Sequence, residues 1–130
     1  MRTRMLLAVL ALAAGAGAAA DEVTPFDGNW SASFPRKSGG EGHGRLILKG
    51  DLGSWRYVSN QGHQANRYPC LNLDFPITIE ERSAERLRLK VDADKTMHGC
   101  QDLHLTLQPV DAGHLQGRFG DGSVLQLNRE

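Results

Sequence analysis

Strict alternation of apolar and polar residues runs through much of this 130-residue chain. Leu87, Leu89 and Val91 alternate with cations, and the same two-residue period recurs over residues 103–108. This is the period of a β-strand with one apolar face, whereas the spacing of an amphipathic helix is nearly absent. The pattern predicts an all-β chain in which each strand buries a single face.

We expect about eight short strands from this pattern. They are predicted at residues 30–34, 45–49, 54–58, 77–82, 86–91, 103–108, 114–119 and 123–128. Most gaps between them are short and rich in Gly, Asp and Ser, which favours hairpins and leaves no room for parallel crossovers. The predicted fold is a small antiparallel up-and-down barrel, with a two-sheet β-sandwich as the alternative.

Two segments lack the alternation and are expected to be irregular loops. Residues 36–44 are rich in glycine, and residues 59–69 are polar. Function concentrates in the loops at the mouth of a barrel, and arginine and tyrosine are common anchors of protein interfaces. The predicted binding residues are His43, His63, Arg67 and Tyr68.

Cys70 and Cys100 are the two cysteines of the chain. An even count without a C-x-x-C motif predicts one disulfide, with two free thiols or a shared metal site as alternatives. The bond would close a loop of about 31 residues, for which the chain-entropy model gives a stabilisation of roughly 3 to 4 kcal/mol.

The first twenty residues predict export from the cytoplasm. Arg2 and Arg4 precede an apolar run at residues 5–14, and small residues end at Ala20. The run is about half the roughly 20 residues of a membrane helix, as in a cleaved secretory signal peptide. We expect a Sec-type signal at residues 1–20, cleavage after Ala20, one all-β domain over residues 21–130, and a periplasmic or secreted product without a membrane span.

Fifteen basic and fifteen acidic residues give a formal net charge of zero. Nothing in this balance resembles the basic footprint of a nucleic-acid-binding protein. The sequence also lacks the fingerprints of serine nucleophiles, zinc proteases and dinucleotide-binding folds. We expect no nucleic-acid partner, no cofactor and no enzymatic activity, with an uncharacterised hydrolytic or metal-dependent enzyme as the alternative.

One group of polar residues has the spacing of metal ligands. Asp102 and His104 would share a face of one strand, and His98 could approach from the preceding loop. Solvated surface histidines are the simpler interpretation, and no metal site is predicted.

A cationic stripe is predicted on the outer face of one strand. Arg86, Arg88 and Lys90 would bind an anionic glycan or, more simply, form a solvated wall. Glu80 and Arg82 on the preceding strand would pair across to this stripe.

Gly28-Asn29-Trp30 opens the first predicted strand. This G-x-W motif resembles the opening motif of the lipocalins and the wider calycin group. The resemblance implies an up-and-down barrel with a small apolar ligand, in which Trp30 closes one end beneath a basic residue, either Arg118 or Arg129. The chain lacks a T-D-Y-like central motif and is shorter than a usual lipocalin, so an interior filled by side chains is the alternative to a ligand cavity.

Together these features favour an exported binding module without enzymatic activity. Its predicted partner is an unidentified envelope or secreted protein, which it would bind through its loops, for example as an inhibitor. The alternative is a calycin-like barrel that holds a small ligand or a glycan. A cavity lined by Trp55, Leu87 and Leu105 would favour the ligand carrier, and a filled interior beside an exposed aromatic patch would favour the partner-binding module.

Overall fold

A computed structural model of the chain describes residues 25–59 and 69–130. The predicted signal peptide at residues 1–20 lies outside these ranges. Eight strands follow one another: β1 (Gly28–Pro35), β2 (Glu41–Lys49), β3 (Leu52–Val58), β4 (Phe75–Arg82), β5 (Leu87–Val91), β6 (Leu103–Asp111), β7 (His114–Phe119) and β8 (Val124–Arg129). The described part of the chain contains no helix with the length and hydropathy that a membrane span requires.

Every strand pairs antiparallel with its neighbour in the sequence, and β1 also pairs with β8. The sheet therefore closes on itself as an up-and-down barrel, which confirms the predicted fold and excludes the sandwich. Each strand has a neighbour on both sides, although β3 and β4 pair only through Ser54 with Pro76 and Trp55 with Phe75. The alternation seen in the sequence becomes an apolar inside and a polar outside.

The interior of the barrel is packed with large side chains. Trp30, Trp55 and Phe75 are fully buried there, together with leucines from most of the other strands. Burial of each such side chain contributes roughly 1.5 to 3 kcal/mol relative to leaving it exposed.

Strand β2 begins at Glu41, so the prediction of a loop through residue 44 is wrong in its second half. Gly42 and Gly44 face inward but carry no apolar side chain, which hides the alternation in the sequence. A Cβ on Gly44 would lie 2.5 Å from the nearest ring atom of Trp55, and one on Gly42 would clash with the ring of Phe34. The two glycines make room for aromatic rings inside the barrel.

Trp30 closes the end of the barrel at which the described chain begins, which we call the closed end. Its indole N–H donates to the carbonyl oxygen of Phe26 at 2.9 Å. The guanidinium of Arg129 lies 4.3 Å from the centre of the indole and donates to the carbonyl oxygen of Asp27 at 2.7 Å. Of the two basic residues considered for this position, Arg129 occupies it, and Arg118 lies on β7.

The longer connections lie at the opposite end, which we call the open end. They comprise residues 36–40, 59, 69–74, 92–102 and 120–123. A disulfide between Cys70 and Cys100, with the two Cα atoms 5.8 Å apart, joins two of these connections. The predicted bond is confirmed, and it is compatible with an oxidising compartment.

Candidate functional site

Side chains occupy the places where a carrier cavity would lie. Trp55, Leu87 and Leu105 are each at most 1% exposed. Next to them, a Cβ on Gly117 would lie 2.6 Å from the side chain of Leu125. The three residues that would line a ligand chamber are therefore part of a filled core.

A pocket of about 570 Å³ lies at the open end, which we call the mouth pocket. Three half-buried aromatic residues line it: Phe34 at the end of β1, Tyr57 at the end of β3 and Phe119 at the end of β7. Phe34 packs edge-to-face on Phe119 with ring centroids 5.4 Å apart, and on Tyr57 at 6.2 Å. These contacts hold the rings in place while part of each remains accessible.

The rim of the mouth pocket carries charges of both signs. Lys37 lies 3.8 Å from Asp121, and both side chains are exposed, so this pair contributes little to stability. Ser123 donates hydrogen bonds to Asp121 from its hydroxyl and its backbone N–H, and these lower the pKa of that carboxyl.

Asp102, also on the rim, anchors the connection between β5 and β6. The backbone N–H groups of Asp94 and Ala93 donate to its carboxylate at 2.9 and 2.8 Å. These bonds, and the nearby ammonium of Lys90, lower the pKa of Asp102. The carboxylate is thus a structural acceptor at the base of this loop.

A second depression, of about 390 Å³, runs along the outer wall of β5, β6 and β7. We call it the outer groove, and it meets the mouth pocket at three shared residues, His104, Phe119 and Gly120. Its other polar lining residues include Glu80, Arg86, Arg88, Thr106 and Arg118. The register of the strands places Arg88 beside Thr106 and Thr106 beside Arg118.

The carboxylate that neutralises the cationic stripe is not the predicted one. Arg86 and Arg88 lie 3.2 and 3.6 Å from Glu81. A shift of register between Ile79 and Glu81 places Glu81 opposite Arg88. Glu80 instead faces the ring of His104 at 3.2 Å. Two guanidinium groups therefore share one carboxylate.

The other two residues considered for this stripe have partners elsewhere. Lys90 lies 3.6 Å from both Asp92 and Asp102. Arg82 donates to the carbonyl oxygen of Gly50 at 2.6 Å. Of the three cations in the predicted stripe, Arg86 and Arg88 line the outer groove, and Lys90 does not.

His43 is the predicted binding residue that falls within the described ranges. It lies in β2 between the inward-facing Gly42 and Gly44, and its Nε2 is 3.5 Å from Glu41. It is therefore on the outer wall of the barrel and not in a loop. The other three predicted binding residues, His63, Arg67 and Tyr68, lie outside the described residues.

The three residues with metal-ligand spacing contact different partners. His98 lies 3.3 Å from Asp94, and His104 faces Glu80. Asp102 accepts backbone N–H groups of its own loop. Within residues 25–59 and 69–130, no three metal-ligating side chains converge.

The aromatic residues of the mouth pocket were not among the predicted binding residues. Phe34 and Phe119 continue the inward-facing phase of their strands, so the sequence marks them as core. Each of them lies next to an open-end connection, however, and a core residue at the end of a barrel strand is accessible at the mouth. That position was the signal in the sequence that could have identified them.

No family model and no curated protein matches the sequence. Among solved structures, the chain is similar to a redesigned β-barrel, with a TM-score of 0.50 and 11% sequence identity over 82% of this chain and 92% of that one. At this identity the likeness shows the fold alone, and it agrees with the closed barrel described above.

Proposed function

We propose that this protein is an exported, non-enzymatic binding module whose open end binds another envelope or secreted protein. The observation that carries the proposal is the mouth pocket, in which Phe34, Tyr57 and Phe119 stay partly exposed above a filled interior. Aromatic groups that are accessible in a concave site are typical anchors of protein interfaces.

The rigidity of the mouth supports this function. The Cys70–Cys100 disulfide fixes two of the connections around the pocket, and the edge-to-face contacts restrain the rings. Binding to a restrained surface loses less conformational entropy than binding to mobile loops, so more of the contact energy appears as affinity. A pocket of about 570 Å³ has room for one or two large side chains of a partner.

The two rim carboxyls act as structural acceptors in the proposed binding surface. A general acid at neutral pH needs a raised carboxyl pKa. The pKa values of Asp102 and Asp121 are shifted in the opposite direction, because hydrogen bonds stabilise both carboxylates. Both groups are better suited to holding loops in place than to transferring protons.

The proposal also includes export of the protein and a relationship to the calycin group. A signal peptide at residues 1–20, cleaved after Ala20, would deliver the chain to the periplasm or the exterior, where the disulfide can form. Trp30 of the G-x-W motif, covered by Arg129, supports a calycin-like relationship for this barrel.

The test is to block the mouth pocket without disturbing the core. Gly120 lines the pocket where it meets the outer groove, and a Cβ there would meet no atom closer than 3.9 Å, so Gly120→Tyr adds bulk at the open end without entering the core. Gly113, at the closed end with its nearest atom at 3.8 Å, provides the matched control Gly113→Tyr.

Each protein is immobilised and exposed to the exported proteins of the source organism. We expect the wild type and Gly113→Tyr to retain the same protein, and Gly120→Tyr to retain at least about tenfold less of it. Equal retention by all three, or retention by none, would contradict the proposal. If the captured protein is a hydrolase, its activity is then assayed with and without the barrel.

A small ligand in the mouth pocket is a second candidate function, favoured by one observation. The indole N–H of Trp55 is buried beneath Phe34 and Tyr57, and among the described residues it has no hydrogen-bond acceptor. A buried donor without an acceptor is costly. Trp55 does not itself line the mouth pocket, so a polar molecule would supply this acceptor by entering from the pocket between Phe34 and Tyr57. Native mass spectrometry of the purified protein tests this, because a mass equal to that of the oxidised chain would exclude a retained ligand.

A further inference from the structure

We infer that the outer groove binds carboxylate groups of an acidic, extended segment of the partner protein, so that the mouth pocket and the outer groove form one docking surface. This inference rests on the proposed function and names the chemistry of the partner. It draws on features of the outer wall that do not line the mouth pocket.

The first of these is the row formed by Arg88, Thr106 and Arg118. These residues are direct neighbours on three adjacent strands. Adjacent strands lie about 4.8 Å apart, so the two arginine Cα atoms are roughly 10 Å apart with the threonine between them. Guanidinium groups bind carboxylates through paired hydrogen bonds, and a hydroxyl can donate a further one.

The second feature is incomplete neutralisation of the arginines. Arg86 and Arg88 share the carboxylate of Glu81, and both side chains are about half exposed. Arg118 donates to the carbonyl oxygen of Gly122 at 3.2 Å, and no carboxylate within the described ranges lies at ion-pair distance from it. A guanidinium has five donors, so the groove retains donors and positive charge for an incoming anion.

The dimensions of the groove fit an extended peptide. Arg86 and Arg88 are two residues apart along one chain, a spacing of roughly 7 Å that equals the repeat of same-side residues in an extended segment. The groove follows β6 from His104 to Thr106. Acidic residues at alternate positions of a partner segment would therefore meet successive arginines.

The residues around the outer groove favour a peptide over a lipid membrane as its ligand. Of the described residues, the large apolar side chains that are most exposed are Ile47, Leu52, Met97 and Val110, and none of them lines the groove. The apolar contact available next to the groove is the mouth pocket, reached across Phe119 and Gly120. This arrangement fits a segment that places one aromatic side chain in the pocket and its acidic residues along the groove.

The test uses three synthetic peptides that separate the two parts of the surface. The first has phenylalanine, then glycine, then three glutamates that alternate with serines. The second replaces the glutamates with glutamines, and the third replaces the phenylalanine with glycine. Dissociation constants are measured by NMR titration at low and at physiological salt, with the wild type, Arg118→Gln and the matched control Arg45→Gln. Arg45 is exposed, as Arg118 is, but it lies on β2 outside the groove and pairs with Glu130.

We expect the glutamate peptide to bind wild type about tenfold more tightly than the glutamine peptide at low salt, and less so at physiological salt. Arg118→Gln should raise the dissociation constant of the glutamate peptide about fivefold, whereas Arg45→Gln should leave it unchanged. Equal binding of the glutamate and glutamine peptides, or equal losses in the two variants, would overturn the inference.

The three peptides distinguish failure of the inferred groove from failure of the proposed binding site at the mouth. If the phenylalanine contributes affinity but the glutamates do not, the mouth is a binding site and the inferred groove is refuted. If the glutamates contribute and the phenylalanine does not, the groove stands and the proposed role of the mouth fails. Binding to a sulfated hexasaccharide, or to vesicles of anionic phospholipid, without binding to the glutamate peptide would also overturn the inference.

Discussion

Substitution of Gly44 tests whether the barrel interior is as full as the proposed function requires. In Gly44→Ala the added Cβ would lie 2.5 and 2.6 Å from Cη2 and Cζ2 of Trp55. Carbon atoms in contact prefer separations of about 3.5 to 4.0 Å, so the indole would have to move by about 1 Å. The ring has little room to do so, because Trp55 is fully buried and packs against Phe34 and Tyr57.

The expected cost follows from two opposing contributions. Overpacking of a filled core costs typically 1 to 3 kcal/mol, and restriction of the unfolded chain by alanine returns about 0.4 to 1 kcal/mol. We therefore expect the free energy of unfolding of Gly44→Ala to fall by about 1 to 2 kcal/mol. Urea unfolding followed by far-UV circular dichroism, with the disulfide intact, measures this as a lower midpoint at an unchanged m-value.

Two further variants make the result specific to the contact with Trp55. Gly113→Ala adds the same methyl group where the nearest atom is 3.8 Å away, and its stability should equal or exceed that of the wild type. In a Trp55→Phe background the smaller ring does not reach the added methyl, so Gly44→Ala should cost much less there. An equal loss in both backgrounds would show that the cost does not arise from the contact with Trp55. No loss in the wild type would show that the interior is loosely packed and would remove the reason for placing function at the mouth.

Two other predictions concern the connections at the open end. Replacement of Cys70 and Cys100 by serine should lower the free energy of unfolding by roughly 3 to 4 kcal/mol, and an unchanged urea midpoint would contradict the stabilising role of the bond. Asp102→Asn should lower the urea midpoint at pH 7. The pKa of Asp102 is lowered in the native state, so its carboxylate stabilises the fold at any pH above the pKa that Asp102 has in the unfolded chain. That contribution is lost as pH falls through the native pKa, so the difference between variant and wild type should narrow below about pH 4, and a constant difference down to pH 2 would refute it.

Those parts of the fold that depend on local pattern could be predicted from the sequence. Strand β7 begins and ends where the alternation predicted, and strands such as β5 and β8 differ from the prediction by one residue. The disulfide followed from the even count of cysteines, the absence of a C-x-x-C motif and the predicted export of the chain. The start of β2 could not be predicted in this way, because Gly42 and Gly44 serve the core by having no side chain.

The candidate site depended more on contacts between distant strands. Only closure of the barrel brings Arg129 of the last strand onto Trp30 of the first, and nothing local distinguishes it from Arg118. Likewise, the register shift that pairs Glu81 with Arg88 involves one extra residue in β4, which the alternation does not reveal. Register and closure are set by the whole sheet, so single segments could not identify these partners.

The same packing that fills the barrel also accounts for the position of the candidate site. Phe34 of β1 is paired directly with Gly42 of the neighbouring strand β2, and the ring of Trp55 of β3 lies over Gly44 of the same strand, so the two glycines leave space for the rings. A side chain on either glycine would displace a ring, and loss of either ring would open a cavity, so the rings and the glycines depend on each other. With the interior occupied in this way, Trp55 is inaccessible, and a partner can reach Phe34 only at the open end, where its strand ends. The proposed recognition surface therefore lies at the mouth and along the adjoining outer wall, where the register of β5, β6 and β7 brings Arg88 and Arg118 to either side of Thr106.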